Sequence, residues 1–335
     1  PKIDACSAKR SFAKHCQKQK AAPKNPTVGE ARRAVVKACT SYGAWTTDLS
    51  SYEDPWVTFD KQFNIALEEI DPKSTPGYCV LTTLGTTNGE ILGWDGVRFD
   101  QERVSLVKDC VRLRFAKLLD GEVCFDHIKV FVKQEAHKLS KLAEGRLRLI
   151  SAVSLVDTMV DRILFGWLGR AMLNNVGRTP CLVGWSPVRG GWRQLNDKYR
   201  GKPVLCLDKE AWDWTVPAWL VDLWLCVIKQ LAHNAPEWWL RMVELRFRIL
   251  FEIALFEFED GTVVEQGVKG IMKSGCYLTI ILNSLGQSLL HNVAVDRCGW
   301  KVPQDDPDVI GDDTVQEAVP DLPLYVKHLE DLGVI

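Results

Sequence analysis

In the segment VIGDDTV, Gly311, Asp312 and Asp313 set two adjacent carboxylates between apolar, β-prone residues. Val309 and Ile310 before them, and Thr314 and Val315 after them, predict two short strands joined at a tight turn. Gly311 is free there to take backbone angles that other residues avoid. Two carboxylates held together repel, and one protonates unless a cation supplies the missing charge. Oxygen-only ligands suit Mg2+ or Mn2+, so the chemistry open to this pair is that of a divalent metal, given a third carboxylate from elsewhere. The ordinary alternative is an Asp-Asp pair that caps a hairpin and faces water, and a lone GDD does not choose between the two.

A third carboxylate is on offer in KPVLCLDKEAWDWTVP (202–217), where an apolar strand from Val204 to Leu207 ends in Asp208, with Asp213 five residues on. A strand that delivers a carboxylate at its C-terminal end is how a sheet gathers a metal site from remote segments. Asp213 could equally be the N-cap of the helix expected from Pro217 to about Leu231. Further along, Ser274-Gly275 opens a helix on which Thr279 and Asn283 are four apart and face one side. Polar groups inside an otherwise apolar helix are commonly satisfied core groups.

Basic residues gather in one place. VCFDHIKVFVKQEAH (123–137) alternates as a strand should and runs through Lys138 and Lys141 into Arg146, Leu147, Arg148, Leu149 and Ile150. Six Lys or Arg fall between 129 and 148, opposed by Glu135 and Glu144. On a β-hairpin, Arg146 and Arg148 share a face and could grip one polyphosphate, although lysines also mark a solvated strand edge.

The elements that must position these groups follow from periodicity. Helical spacing covers 30–42 and 100–119, the latter through Val104, Val107, Val111, Phe115 and Leu118, and again 155–173. Segments 71–78 and 84–90 are rich in turn-formers, and 251–267 predicts a hairpin turning at Asp260-Gly261. GVKGIMKSG is not a P-loop, because that pattern needs Gly where Met272 stands.

With 335 residues and 46% apolar content the chain is too long for one ordinary core and too apolar to be disordered. Its net charge of −1 hides a segregation: residues 1–37 hold ten Lys or Arg against Asp4 and Glu30, and residues 296–335 ten acidic side chains against three basic. Residues 1–29, basic and with Pro23 and Pro26, are expected to form an extended arm that binds nucleic acid or is simply solvated. The eleven cysteines show neither a CxxC pair nor zinc spacing, which excludes a disulfide framework or structural zinc and predicts a reducing compartment. No apolar run approaches the roughly 18 residues of a membrane span and no signal-peptide core is present, so a soluble protein is expected. The start at Pro1 and the stop at LEDLGVI predict a processed or trimmed part of something longer.

Taken in order, K-x-E (133–135) with R-x-R-x-I (146–150), D-x4-D (208–213), SG-x3-T-x3-N (274–283) and GDD (311–313) resemble motifs F, A, B and C of the viral RNA-dependent RNA polymerases. STPGY and GTTNGEILG are similar to the sobemovirus-like and luteovirus-like members, so the resemblance spans roughly 70–330. It implies an α/β (α+β) right-hand fold with an antiparallel, RRM-like palm sheet. The segments would be a basic arm (1–29), fingers (30–200, motif F at 129–150), palm (201–232, motif A), a connection with a hairpin (233–268), and palm again (269–335, motifs B, C and the start of D). Motif E and the thumb would lie beyond the chain.

The resemblance further implies that Asp208, Asp312 and Asp313 hold two Mg2+ (or Mn2+) ions. Lys133, Arg146 and Arg148 would bind the NTP triphosphate, and Asp213, Ser274, Thr279 and Asn283 would sense the ribose 2′-hydroxyl, with Gly275, Lys138 and Lys141 against RNA. Implied partners are an RNA template and nascent strand, NTPs, a viral genome-linked protein primer and other viral replication proteins, at membrane-associated replication complexes in the host cytoplasm. An idle RNA-binding scaffold of the same fold and a two-metal nuclease are the alternatives; the 2′-hydroxyl set speaks against the nuclease, which has no use for it.

Overall fold

In the structure, a computed structural model that describes residues 3–335, the chain is a mixture of helices and small sheets and divides into two units. The first gathers Pro1–Gln19, Leu49–Gly166 and Ala235–Tyr277, the second Lys20–Asp48, Trp167–Asn234 and Leu278–Ile335. No helix among the described residues is long and apolar enough to cross a membrane.

The first unit holds a four-stranded sheet in the order Leu149–Ala152, Ile128–Val132, Leu255–Glu257, Val263–Glu265. Only five residues of the alternating 123–137 stretch become a strand, with Ile128, Val130 and Val132 buried. It pairs antiparallel with Leu149–Ala152 through Val132↔Leu149 and parallel with Leu255–Glu257 through Ile128↔Phe256. The 255–265 hairpin turns at Asp260-Gly261 as expected, with Gly261 at φ +82. Helix Gln101–Leu119 starts behind Asp100, whose carboxylate accepts from the Arg103 N–H, and buries Val107, Val111, Phe115 and Leu118. Phe59, Phe63, Phe115 and Trp238 pack ring against ring.

At the heart of this unit the fully buried Arg246 grips Asp161 with two parallel hydrogen bonds of 2.7 and 2.9 Å. Arg114 binds Asp157 and, at 3.1 Å, Asp126. Removing one member of such a network strands a charge in the core, which costs about 3–5 kcal/mol.

Part of the stretch expected from its charge to be an extended arm is a helix. Asp4 and Ser7 make a reciprocal capping box, and Ala5–Cys16 is a helix whose Ala8, Ser11, Phe12 and His15 are buried. Phe12 sits edge-on between Phe256 (5.1 Å) and Phe258 (5.3 Å), and Lys9 pairs with Asp260 at the hairpin tip. Lys9, Arg10 and Lys14 lie on the outer side of this amphipathic helix, a pattern that charge counting conceals. Residues 1 and 2 lie outside the described part.

In the second unit, strands Val204–Leu207, Asp313–Glu317 and Asp308–Ile310 form an antiparallel sheet in that order. Helix Thr279–Cys298 is buried continuously from Ile281 to Ala294. A Cβ at Gly286 would stand 3.0 Å from the Trp224 indole nitrogen and 3.2 Å from a Leu220 methyl, so this glycine lets helix Ala218–Leu231 approach closely. Tyr42, fully buried, shares a 2.8 Å hydrogen bond with the Ser288 hydroxyl. Helices Val28–Ser41 and Leu322–Asp331 begin at Thr27 and Asp321, whose side chains accept from Glu30 and Leu324 N–H groups.

Candidate active site

The apolar run Val204–Leu207 becomes the strand that periodicity predicts, and pairs with the strand behind GDD through Cys206↔Val315 and Leu207↔Thr314. Continuing that antiparallel register by one residue sets Asp208 opposite Asp313. On the other side Ile310 pairs with Asp313, so Gly311 and Asp312 form a two-residue hairpin loop. Its first residue, Gly311, has φ +60, and Asp312 has no positive φ; a tight hairpin that needs a left-handed angle at that position selects glycine. The demand is on the backbone alone, for the nearest atom to an added Cβ is an Ile280 methyl at 3.9 Å.

Asp208 and Asp313 are exposed and Asp312 is half-buried at this end of the sheet. Burial raises the Asp312 carboxyl above its ordinary range, and the charges of Asp313 and Asp208 push the same way, against Lys209. Lys209, missed in the sequence, is buried beside them; burial pulls its ammonium down to about 8, against the pull of Asp312 and Asp208. At the far end of the strand Asp308 accepts from Lys198 (2.8 Å) and the Tyr199 hydroxyl (2.6 Å).

Two neighbouring elements hold this end of the sheet. The Gly311 N–H donates to Ser284 Oγ (2.9 Å), and the fully buried Ser284 hydroxyl in turn donates to the Ile280 carbonyl one turn back (2.7 Å). After Asp208 the chain turns through Ala211, held at φ +50, an angle that costs a residue with a Cβ about 1–2 kcal/mol. It then enters the short helix Trp212–Thr215. Asp213 lies inside that helix, so it is not the cap of the next one. Trp212 Nε1–H donates to Asn283 Oδ1 (2.9 Å) and Asn283 Nδ2 donates to Asp213 Oδ1 (3.3 Å). Thr279 opens the same helix as Asn283.

In the first unit, Lys133 N–H donates to the Arg148 carbonyl (2.9 Å), which extends the strand pairing one step beyond Val132↔Leu149. Both side chains converge on Glu135: Lys133 Nζ at 2.9 Å and Arg148 Nη1 at 2.7 Å. The hydrogen bond from Lys133, and after it the charge of Arg148, hold the Glu135 carboxyl below its ordinary range. Arg146 does not share the face of Arg148. Its side chain is 9% exposed and paired with Glu144 at 3.1 Å, whereas that of Arg148 is 67% exposed. The strand begins only at Leu149, and residues 145–148 leave the short helix Leu139–Glu144 through Gly145 at φ +68, so alternation does not apply there.

Ser274 and Gly275 also belong to this unit. Ser274 Oγ accepts from Ser151 N–H (3.0 Å), and Gly275 N–H donates to the Ser151 carbonyl (3.0 Å). A Cβ at Gly275 would lie 2.9 Å from both Ala152 Cα and the Ser151 oxygen, so the close approach requires glycine. Lys138 is exposed and Lys141 half-exposed.

The donor chemistry at Asp208, Asp312 and Asp313 fits a hard divalent cation: every ligand is a carboxylate oxygen, and like charges already lift Asp312. Among the described residues no three acidic, His or Cys groups are gathered closely enough to hold an ion as they stand.

Residues 50–333 match the family of viral RNA-dependent RNA polymerases, and the chain belongs to that family. It is similar to the replicase polyprotein P2AB of Southern bean mosaic virus, 31% identical over 271 residues that cover 74% of this chain and 26% of that protein. Protein P1-P2 of Potato leafroll virus is 31% identical over 227 residues, 62% of this chain and 20% of that protein. An RNA-directed RNA polymerase of Mushroom bacilliform virus is 32% identical over 173 residues, 50% of this chain and 41% of that protein. The chain spans about a quarter of the length of the replicase polyproteins of Southern bean mosaic virus and Southern cowpea mosaic virus, which it matches.

Proposed function

We propose that this chain carries the catalytic part of a template-directed RNA polymerase that copies and transcribes a viral RNA genome. The observation that supports this most is the register of one small sheet, which brings Asp208 from one segment to the end where Asp312 and Asp313 turn, close enough for its charge to lift Asp312. Family membership supplies the reaction class. The 3′-hydroxyl of the growing RNA attacks the α-phosphate of an NTP and pyrophosphate leaves.

Asp208 and Asp312, with Asp313 in support, would hold Mg2+ or Mn2+, which when bound supplies the Lewis acidity that lowers the hydroxyl pKa and stabilises the leaving pyrophosphate. The chain's own groups do the rest. Lys133 and Arg148 neutralise the triphosphate, exchanging the Glu135 carboxylate for phosphate oxygens. Arg146 acts from its buried position on the same segment, and Lys138 and Lys141 offer charge to the RNA backbone. Asp213 and Asn283, already hydrogen-bonded to each other, read the ribose 2′-hydroxyl together with Ser274 and Thr279. The Ser274-Gly275 turn lies against RNA. Assigning the first unit's strands to the fingers and the three-stranded sheet to the palm belongs to the same proposal, as do a genome-linked protein primer, partner replication proteins and cytoplasmic membrane-associated replication complexes.

Incorporation of labelled NTPs on a primed RNA template tests the proposal. Asp312→Ala should abolish incorporation, and incorporation at the parental rate by that variant overturns it. A variant Asp213→Ala or Asn283→Ala should narrow the preference for NTP over dNTP; an unchanged preference removes the ribose assignment.

A further inference from the structure

We infer that the N-terminal helix Ala5–Cys16 is part of the nucleotide-binding apparatus, with Ser11 and His15 as positioning residues for Arg148. Both side chains converge on one backbone atom, the carbonyl oxygen of Leu147. Ser11 Oγ donates to it at 2.7 Å and His15 Nε2 lies 2.9 Å from it. A carbonyl can only accept, so the Nε2 of His15 carries the proton, and burial, which lowers the pKa of this imidazole, keeps the ring neutral. Leu147 stands between Arg146 and Arg148, and the next backbone contact is the Arg148 carbonyl with Lys133 N–H. The carbonyl that Ser11 and His15 hold is therefore one residue from the guanidinium that meets the triphosphate on the proposed reading.

The rest of the segment is held by local backbone bonds, from Gly145 N–H to the Leu142 carbonyl (3.1 Å) and from Arg146 N–H to the Lys141 carbonyl (2.9 Å). Residues 145–148 are outside regular structure, and a pocket of about 340 Å3 lined by Asp4, Cys6, Ser7, Arg10, Leu142, Gly145 and Leu147 lies between the start of the helix and this turn. Leu147 is buried, and its carbonyl is the point at which the N-terminal helix bonds to this segment. The helix itself is anchored elsewhere, through Phe12 against Phe256 and Phe258 and the Lys9–Asp260 pair. It lies outside residues 50–333, the span shared with the family.

The inference rests on Lys133 and Arg148 binding the triphosphate, and equilibrium binding of radiolabelled GTP with Mg2+ separates the two. Lys133→Ala and Arg148→Ala test the parent reading; Ser11→Ala and the double variant Ser11→Ala/His15→Leu test the brace. With the brace removed, GTP should bind roughly five- to tenfold more weakly, the weight of one or two lost hydrogen bonds on the segment. Ser11→Thr, which keeps the hydroxyl, should restore binding, and amide exchange should quicken at 145–149 and not in Leu255–Glu257. Weaker GTP binding in the Lys133 and Arg148 variants with parental binding in both brace variants overturns the inference and leaves the parent reading standing. Parental GTP binding in Arg148→Ala and Lys133→Ala overturns both. Should the double variant fail to fold, the Ser11→Ala against Ser11→Thr comparison decides.

Discussion

Ser284→Ala should loosen the turn that carries Asp312 without touching a carboxylate. In the parent chain the Gly311 N–H has its hydrogen bond from inside, on a fully buried hydroxyl. Alanine fills nearly the same space and leaves that buried N–H without its acceptor, at a cost of about 1–3 kcal/mol. At roughly 2–4 °C per kcal/mol for domains of 150–250 residues, the melting temperature should fall by about 2–12 °C. Calorimetry reads the melting temperature, and hydrogen exchange followed by mass spectrometry reads the turn itself: peptides spanning 308–315 should exchange faster, while those in the first unit keep their rates. Ser284→Thr, which retains the oxygen, serves as the control. Parental melting together with parental exchange at 308–315 would refute the claim that this hydroxyl holds the turn.

Gly275→Ala should destabilise the first unit by about 1–3 kcal/mol, since its Cβ meets backbone and not a flexible side chain; a melting temperature equal to the parent's contradicts the close approach. Arg246→Leu should cost about 3–5 kcal/mol by leaving Asp161 buried without its partner, and Arg246→Leu/Asp161→Leu should recover much of it. Urea titration compares them, and a double variant no better than the single rules out charge stranding as the cause. His291, buried in the 279–298 helix, has its pKa pulled by burial to about 3 from the ordinary 6.5. Folding favours the neutral ring, so its contribution is complete above pH 6.5 and is lost as pH falls towards 3, at about 1.4 kcal/mol per pH unit. His291→Gln should therefore lose less stability than the parent between pH 6.5 and 4, and equal slopes would contradict this.

Local chemistry made much of the second unit legible. Gly311 between β-branched residues announces its hairpin, and Val204–Leu207 its strand, because both depend on near neighbours. The helices at 101–119 and 155–174 stand where periodicity sets them, whereas the helix expected to open at Ser274-Gly275 begins only at Thr279. Partnerships across sequence distance were another matter: Asp213 and Asn283 were paired only through the family resemblance, and neither Ser284 nor Lys209 was singled out, since nothing in their own segments shows what they face. Charge misled at both basic stretches. Asp4-x-x-Ser7 and the spacing of Ala8, Ser11, Phe12 and His15 do spell a capped amphipathic helix, yet the charge and prolines of 1–29 suggested an extended arm, on nucleic acid or solvated. Arg146 and Arg148 were given one face by assuming a strand that starts three residues later than Arg146.

The Trp212 indole settles which way round the Asn283 amide sits, because an indole nitrogen can only donate and so must meet the amide oxygen. On the proposed ribose reading Asn283 turns its N–H groups towards Asp213 and the sugar, while an ionised Asp213 carboxylate accepts. A 2′ substituent judged by this pair must therefore take a proton contact from one side and give one to the other. Fluorine at that carbon does the first without the second, and hydrogen does neither, so the two analogues should fall in that descending order behind ribose.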